Sequence, residues 1–263
     1  MNSSGDFADF ARELARAARA ETLSRFGRTH DVDNKANGGS FDPVTEADRA
    51  AESVMRRLIE ARFPEHGIVG EEFGERSASG PYCWSLDPID GTRSYVCGLP
   101  TWTTLIALMA DGEPVLGLID APCLDEIYIG KADGSLVERG GTATALRVSD
   151  CTSLAEARLS TTDPFLFEGP AADGFERLRK ASRTARYGHD GYAYARVAAG
   201  TLDLVVECGL KPHDYNALVP VVRGAGGVFG DWRGGSDFAS GNVIAAATPQ
   251  LYEAGVAIMR EAC

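Results

Sequence analysis

Apolar residues recur with helical spacing at the start of the chain. Phe7, Phe10, Leu14, Ala17 and Ala18 fall on one face and predict an opening amphipathic helix. Residues 30–42, rich in Gly and Asn, predict a polar loop. Thr45-Glu46-Ala47-Asp48 then matches the S/T-x-x-D/E capping pattern ahead of Ala51, Val54 and Leu58, so a second helix starts near Thr45 and stops near Phe63-Pro64. From there the texture changes to short apolar runs. Residues 68–70, 83–86, 103–110, 115–120 and 126–129 read as strands, with turns at Asp111-Gly112 and Asp133-Gly134.

Gly140-Gly141 predicts a boundary that divides the chain into residues 1–140 and 141–263. Beyond it strands and helices alternate: a strand near Leu159, a helix over 174–180, a strand over 184–187 and a helix over 192–199. A buried strand over 202–207 precedes a helix after Asp214 that must accommodate Pro220. A strand over 243–246 and a helix opened by the cap pair Thr248-Pro249 finish the chain. The order predicts an α+β half followed by an α/β half, without internal repeats.

Composition narrows the function. A chain of 263 residues, 44% hydrophobic and 24% charged, is that of a folded protein with one large domain or two small ones sharing a core. Its net charge of −12 excludes nucleic acid and anionic membranes as partners, and at face value disfavours an anionic small substrate. The first residues show no secretory signal, and no run approaches the ~18 apolar residues of a membrane span. Six scattered cysteines without a C-x-x-C pair read as reduced thiols, which predicts a cytoplasmic protein.

Three acidic features stand where strands hand over to loops or helices: Gly70-Glu71-Glu72, Asp87-Pro88-Ile89-Asp90-Gly91-Thr92, and Asp214. Singly, each also reads as an ordinary turn, a solvated pair or a helix cap. Together they point to chemistry. Asp87 and Asp90, three apart across a Pro-Ile bend, aim two carboxylates and the Ile89 carbonyl into one volume, and such like charges need a counter-cation. The cation that suits clustered oxygens is hard: Mg²⁺, Mn²⁺ or Ca²⁺. Gly91-Thr92 adds a close backbone approach and a helix start, which suits a phosphate. Asp48, if the chain folds back, orients the Thr92 hydroxyl. Haloacid-dehalogenase-type phosphatases use D-x-D, and the extra residue here counts against their covalent mechanism.

At these residues, with Asp42-Pro43-Val44-Thr45-Glu46-Ala47-Asp48 upstream and Gly224-Ala225-Gly226-Gly227 downstream, the chain resembles the inositol monophosphatase superfamily of Mg²⁺-dependent, lithium-sensitive phosphatases. The resemblance implies a layered αβαβα sandwich, usually dimeric, acting on a small phosphomonoester. It implies that Glu71, Asp87, the Ile89 carbonyl, Asp90 and Asp214 hold two or three Mg²⁺ ions, or Mn²⁺, with Glu72 supporting them from behind. Glu71 and Thr92, with Asp48 behind Thr92, would position and activate the attacking water. The phosphate would lie on the backbone of Asp90, Gly91 and Thr92, and no phosphoenzyme is expected.

The second half resembles the histidinol-phosphate phosphatase branch, through Tyr187-Gly188-His189-Asp190 and the stretch from Glu207 to Asp214, and so does Gly98-Leu99-Pro100-Thr101-Trp102-Thr103-Thr104. On this resemblance Asp190 and Glu207 face the leaving group, where two carboxylates suit a cationic amine and imidazolium. Plainer roles stay open: Asp190 as a helix cap, and Glu207 as the end of a strand. Inositol-1-phosphate or a sugar or nucleotide 3′-phosphate is an alternative substrate, and a non-catalytic metal-binding homologue is an alternative of another class. Two positions depart from the family. Lys35-Ala36-Asn37-Gly38-Gly39 has Asn where an acid is common. His213 stands where an apolar or Tyr residue is common, and its side chain is expected to point beside the site.

Overall fold

Capping and amphipathicity set the first layer. In the computed structural model, which describes residues 4–28, 33–34 and 43–262, helix α1 (Ser4–Arg25) packs along helix α2 (Glu46–Arg62). Between them, β1 (Asp33–Asn34) and β2 (Pro43–Val44) form a short antiparallel pair. The Lys35–Gly39 departure lies outside the described residues. Thr45 caps α2 as its pattern predicts: its hydroxyl accepts from the Ala47 amide while the Asp48 carboxylate accepts from the Thr45 amide.

Eight strands build the next layer. They are β3 (Gly67–Gly70), β4 (Gly74–Arg76), β5 (Tyr82–Asp90), β6 (Thr103–Ala110), β7 (Glu113–Ala121), β8 (Glu126–Lys131), β9 (Gly134–Arg139) and β10 (Thr142–Ala145), with helix α3 (Thr92–Val96) after β5. The order is β10-β9-β8-β7-β6-β5-β3-β4, antiparallel except for the parallel β3–β5 pair. Strand periodicity sorts the two faces. Trp84, Leu86, Ile106 and Leu108 turn into a core with α1 and α2, whereas Leu105, Ala107 and Ile119 turn the other way. Gly140 and Gly141 (φ +53° and +79°) make the two-residue turn of the β9–β10 hairpin. The boundary expected there therefore falls inside a hairpin, and the sheet runs on to Ala145.

The second half supplies β11 (Arg158–Thr161), α4 (Pro170–Ala181), β12 (Thr184–Tyr187), α5 (Asp190–Ala198), β13 (Leu204–Glu207), α6 (Pro212–Tyr215), α7 (Leu218–Gly224), β14 (Val228–Asp231), β15 (Val243–Ala246) and α8 (Pro249–Met259). Its sheet runs β12-β11-β13-β15-β14, parallel through β12, β11 and β13 and antiparallel beyond. Pro220 is accommodated by breaking the helix: α6 ends at Tyr215 and Pro220 sits in the first turn of α7, where a missing amide costs nothing. Val205, Val243 and Ala245 face α5 and α7, and Leu204, Val206, Ile244 and Ala246 face α4 and α8. The layers are therefore α1/α2, sheet, α5/α7, sheet, α4/α8, an αβαβα sandwich. Helix α7 lies hard against the first sheet, because a Cβ on Gly117 would come 2.0 Å from the Ala217 carbonyl oxygen and one on Gly130 2.3 Å from the Val221 Cα.

Candidate active site

The parity of β5 aims its acids. Trp84 and Leu86 point into the α1/α2 core, so Ser85 and Asp87 point to the opposite face, where Asn216 beside α6 donates to the Ser85 hydroxyl at 3.1 Å. The end of β5 is bulged: Asp87 pairs with Leu105 and Asp90 with Thr103, so three steps of β5 match two of β6. The Pro88 carbonyl turned out by the bulge accepts from the Thr104 hydroxyl at 2.7 Å. Glu71 follows β3, and its amide donates to the Leu86 carbonyl of β5 at 3.2 Å. Asp214 lies in α6, where its carboxylate accepts from the Lys211 amide at 2.6 Å.

These elements bring the expected metal ligands together. One carboxylate oxygen each from Asp87, Asp90 and Asp214 lie within 4.8 Å of one another. The same holds for Glu71, Asp87 and a ring nitrogen of His213. The four acids, without His213, line a cleft of about 240 Å³ together with Ile89, Gly91, Thr92 and Arg93 at the first turn of α3, the part of a helix whose amides lack intrahelical partners. Gly91 is left-handed (φ +84°), and a Cβ there would come 2.7 Å from the Asp190 carboxylate. Only glycine fits.

The electrostatics of the cluster are those of crowded like charges. Asp87 is 2% exposed, and its Oδ1 has no hydrogen-bond partner among the described residues. Burial, then the charges of Glu71, Asp90, Asp214 and Asp48, push its pKa well above the carboxylate range. Asp90 is raised by burial and by Asp190 and Asp214, against the Gly191 amide at 2.5 Å and the Thr103 hydroxyl at 2.9 Å, which favour its charged form. Asp214 is raised chiefly by burial. Carboxylate and carbonyl oxygens around a buried orphan acceptor fit a hard divalent cation.

The other expected residues differ in placement. Thr92 lines the cleft and donates its hydroxyl to the Ile89 carbonyl at 2.9 Å. Asp48 is fully buried in the α2 cap, accepting from the Thr45 amide at 2.8 Å and hydroxyl at 2.6 Å, close enough to Asp87 to raise its pKa. Glu72 stands outside the cleft lining; its amide donates to Glu52 at 2.7 Å. Glu52 was not foreseen. It is 0% exposed on α2, accepts from the Phe73 amide at 3.2 Å and from Arg56 at 2.7 Å, and fills the space where Gly70 lacks a Cβ. It clamps the turn that carries Glu71. The only sequence signal was an acid and an Arg four apart on α2.

The same cleft is also lined by Asp190 and Glu207, with Thr162, Leu166, Cys208 and Leu210. Asp190 makes no cap bond: His189 is the N-cap of α5, and Asp190, at φ +48°, turns its carboxylate to Ser94 at 3.4 Å. Burial raises its pKa to about 6. Glu207 ends β13 and accepts from the Thr162 amide at 2.6 Å and the Thr161 and Thr162 hydroxyls. Burial outweighs these bonds and raises it to about 8.

A family model described as the inositol monophosphatase family matches residues 5–262. The chain belongs to the inositol monophosphatase family. Over 230 residues it is 44% identical to the "Bifunctional phosphatase IMPL2, chloroplastic" of Arabidopsis thaliana, a match that covers 87% of this chain but only 65% of the plant protein. It is 39% identical to a histidinol-phosphatase of Streptomyces coelicolor, covering 89% of this chain and 90% of that one. Among solved structures, an inositol monophosphatase from Zymomonas mobilis superposes with a TM-score of 0.86 at 37% identity, covering 99% of this chain and 100% of that one. The relatives are phosphomonoester hydrolases with this layered fold. Among the described residues no helix is long and apolar enough to cross a membrane.

Proposed function

We propose that this protein is a Mg²⁺-dependent phosphomonoesterase that hydrolyses L-histidinol phosphate by direct attack of water. The observation that carries the substrate is the pairing of two carboxylates, the half-buried Asp190 and the buried Glu207, in the same cleft as the Asp87 cluster. Both are held above their ordinary pKa by burial, so a cationic partner that neutralises them is favoured over a neutral polyol. The identity to a histidinol-phosphatase supports the same reading.

On this reading Glu71, Asp87, the Ile89 carbonyl, Asp90 and Asp214 hold the metal. Bound divalent ions supply neutralising charge and Lewis acidity at the phosphate and lower the pKa of water. The remaining work falls to the chain. The first amides of α3 at Gly91 and Thr92 receive the phosphate oxygens. Glu71 accepts the proton of the attacking water, and the Thr92 hydroxyl orients it, while Asp48, bonded to Thr45, adds negative charge near Asp87. Asp190 and Glu207 seat the amine and imidazolium of the leaving alcohol.

The test compares kcat/KM on L-histidinol phosphate and myo-inositol-1-phosphate. The reading expects strong preference for histidinol phosphate, lost on Asp190→Ala or Glu207→Ala through KM for that substrate alone. Equal efficiency on the two substrates would sink the assignment.

A further inference from the structure

We propose that His213 is a metal ligand, so that Glu71, Asp87 and His213 form a mixed nitrogen and oxygen site that takes Mn²⁺ or Co²⁺ in preference to Mg²⁺. The proposal rests on the reading that the Asp87 cluster binds metal, and goes beyond it in adding a nitrogen donor and a metal selectivity.

Pro212 opens α6 and sends His213 and Asp214 out of the same turn, yet the two side chains converge instead of diverging. A ring nitrogen of His213 lies within 4.8 Å of one carboxylate oxygen each of Glu71 and Asp87. Its Nε2 is also 3.4 Å from Asp214 Oδ1, so the ring sits among the acids of the cluster, with its side chain only 12% exposed. The independent sign of a ligand is Asp87 Oδ1, which is buried and has no hydrogen-bond partner among the described residues.

Ligand chemistry sets the ion. Mg²⁺ prefers oxygen donors and keeps its waters, whereas imidazole suits borderline transition ions. The three acids Asp87, Asp90 and Asp214 offer oxygen only, so the two overlapping sets, which share Asp87, differ in softness. The carboxylate of Asp214 beside Nε2 is also placed to orient an imidazole that ligates through Nδ1.

The experiment uses the full chain loaded with Mn²⁺ and pulsed electron paramagnetic resonance, which detects the ¹⁴N of a directly ligated imidazole. The expected result is ¹⁴N modulation in the wild type that is lost in His213→Phe and in His213→Gln. Calorimetry should show the ratio of Mn²⁺ to Mg²⁺ affinity falling at least ~10-fold in both variants, the scale typical of losing a donor or its support. Bound Mn²⁺ without ¹⁴N modulation in the wild type overturns the proposal and leaves the carboxylate site standing. Failure of the wild type to bind Mn²⁺ or Mg²⁺ at all overturns the metal reading itself. Should both variants fail to fold, the wild-type spectrum alone decides.

Discussion

Glu52→Gln isolates the clamp behind Glu71. The carboxylate accepts from Glu72 N on one oxygen and from Arg56 Nε and Phe73 N on the other, with no exposure to water. Glutamine keeps the shape, which matters because the side chain fills the hollow left by Gly70. It replaces one acceptor oxygen with an NH₂ group. The cheaper orientation turns that group to Glu72 N, leaving one half-buried amide without its acceptor at about 1–3 kcal/mol. Arg56 also loses its counter-charge, though it keeps an oxygen partner and bonds the Gly74 carbonyl. A net loss of about 2–4 kcal/mol follows. The freed turn no longer fixes Glu71, so Mg²⁺ affinity should fall by about 10–100-fold, as when a ligand's orienting partner is removed. Urea unfolding in chelator measures the first quantity, and calorimetric Mg²⁺ titration of the folded protein the second. Wild-type Mg²⁺ affinity in a destabilised Glu52→Gln would refute the clamp and leave Glu52 a stability residue only.

Further outcomes follow from the same geometry. Glu207 at about 8, against an ordinary 4.5, means that the native state holds a proton the unfolded chain releases, so metal-free stability falls as pH rises from about 4.5 to 8. Glu207→Gln removes that slope and should gain stability over wild type at pH 8.5 but not at pH 4; a difference that does not change with pH would contradict the burial argument. Asp87 and Asp90, both raised well above the carboxylate range, must ionise to bind a cation, so Mg²⁺ affinity should rise with pH and binding should release protons. Titration calorimetry in two buffers of different ionisation heat reads the proton count, and a count of zero across pH 5–8 would count against it. Gly130→Ala drives a Cβ into the Val221 backbone and should cost about 1–3 kcal/mol, seen as a lower Tm; an unchanged Tm means that α7 can shift freely on the sheet.

Much of this architecture was legible because local chemistry and burial agree. The Thr45 cap, the paired apolar faces of α1 and α2, and the apolar runs of β5 to β8 are stated by residue type alone. The spacing of Asp87 and Asp90 pointed to a bend, since a regular strand would send an i, i+3 pair to opposite faces, and the structure makes that bend as the bulge at the end of β5. Exposed elements were not legible. β4 is largely exposed and β10 entirely so, and neither carries an apolar stripe to read. β14 is four residues between glycine-rich turns. The long-range meetings were beyond any local pattern: Glu52 with Gly70, Asp190 with Gly91, and His213 with Glu71 depend on how separate layers stack. Their traces were residues with unexplained requirements, a glycine without a turn or an acid without a cap.

The central claim is that the buried carboxylate cluster drives phosphomonoester hydrolysis through a divalent cation. Phosphate release from L-histidinol phosphate by wild type and Asp87→Asn, with Mg²⁺ and with chelator, tests it most directly. The account predicts turnover by the wild type that chelation abolishes and Mg²⁺ restores, and a loss of about 100-fold or more in Asp87→Asn. Activity that survives chelation, or an Asp87→Asn enzyme as fast as wild type, would contradict it.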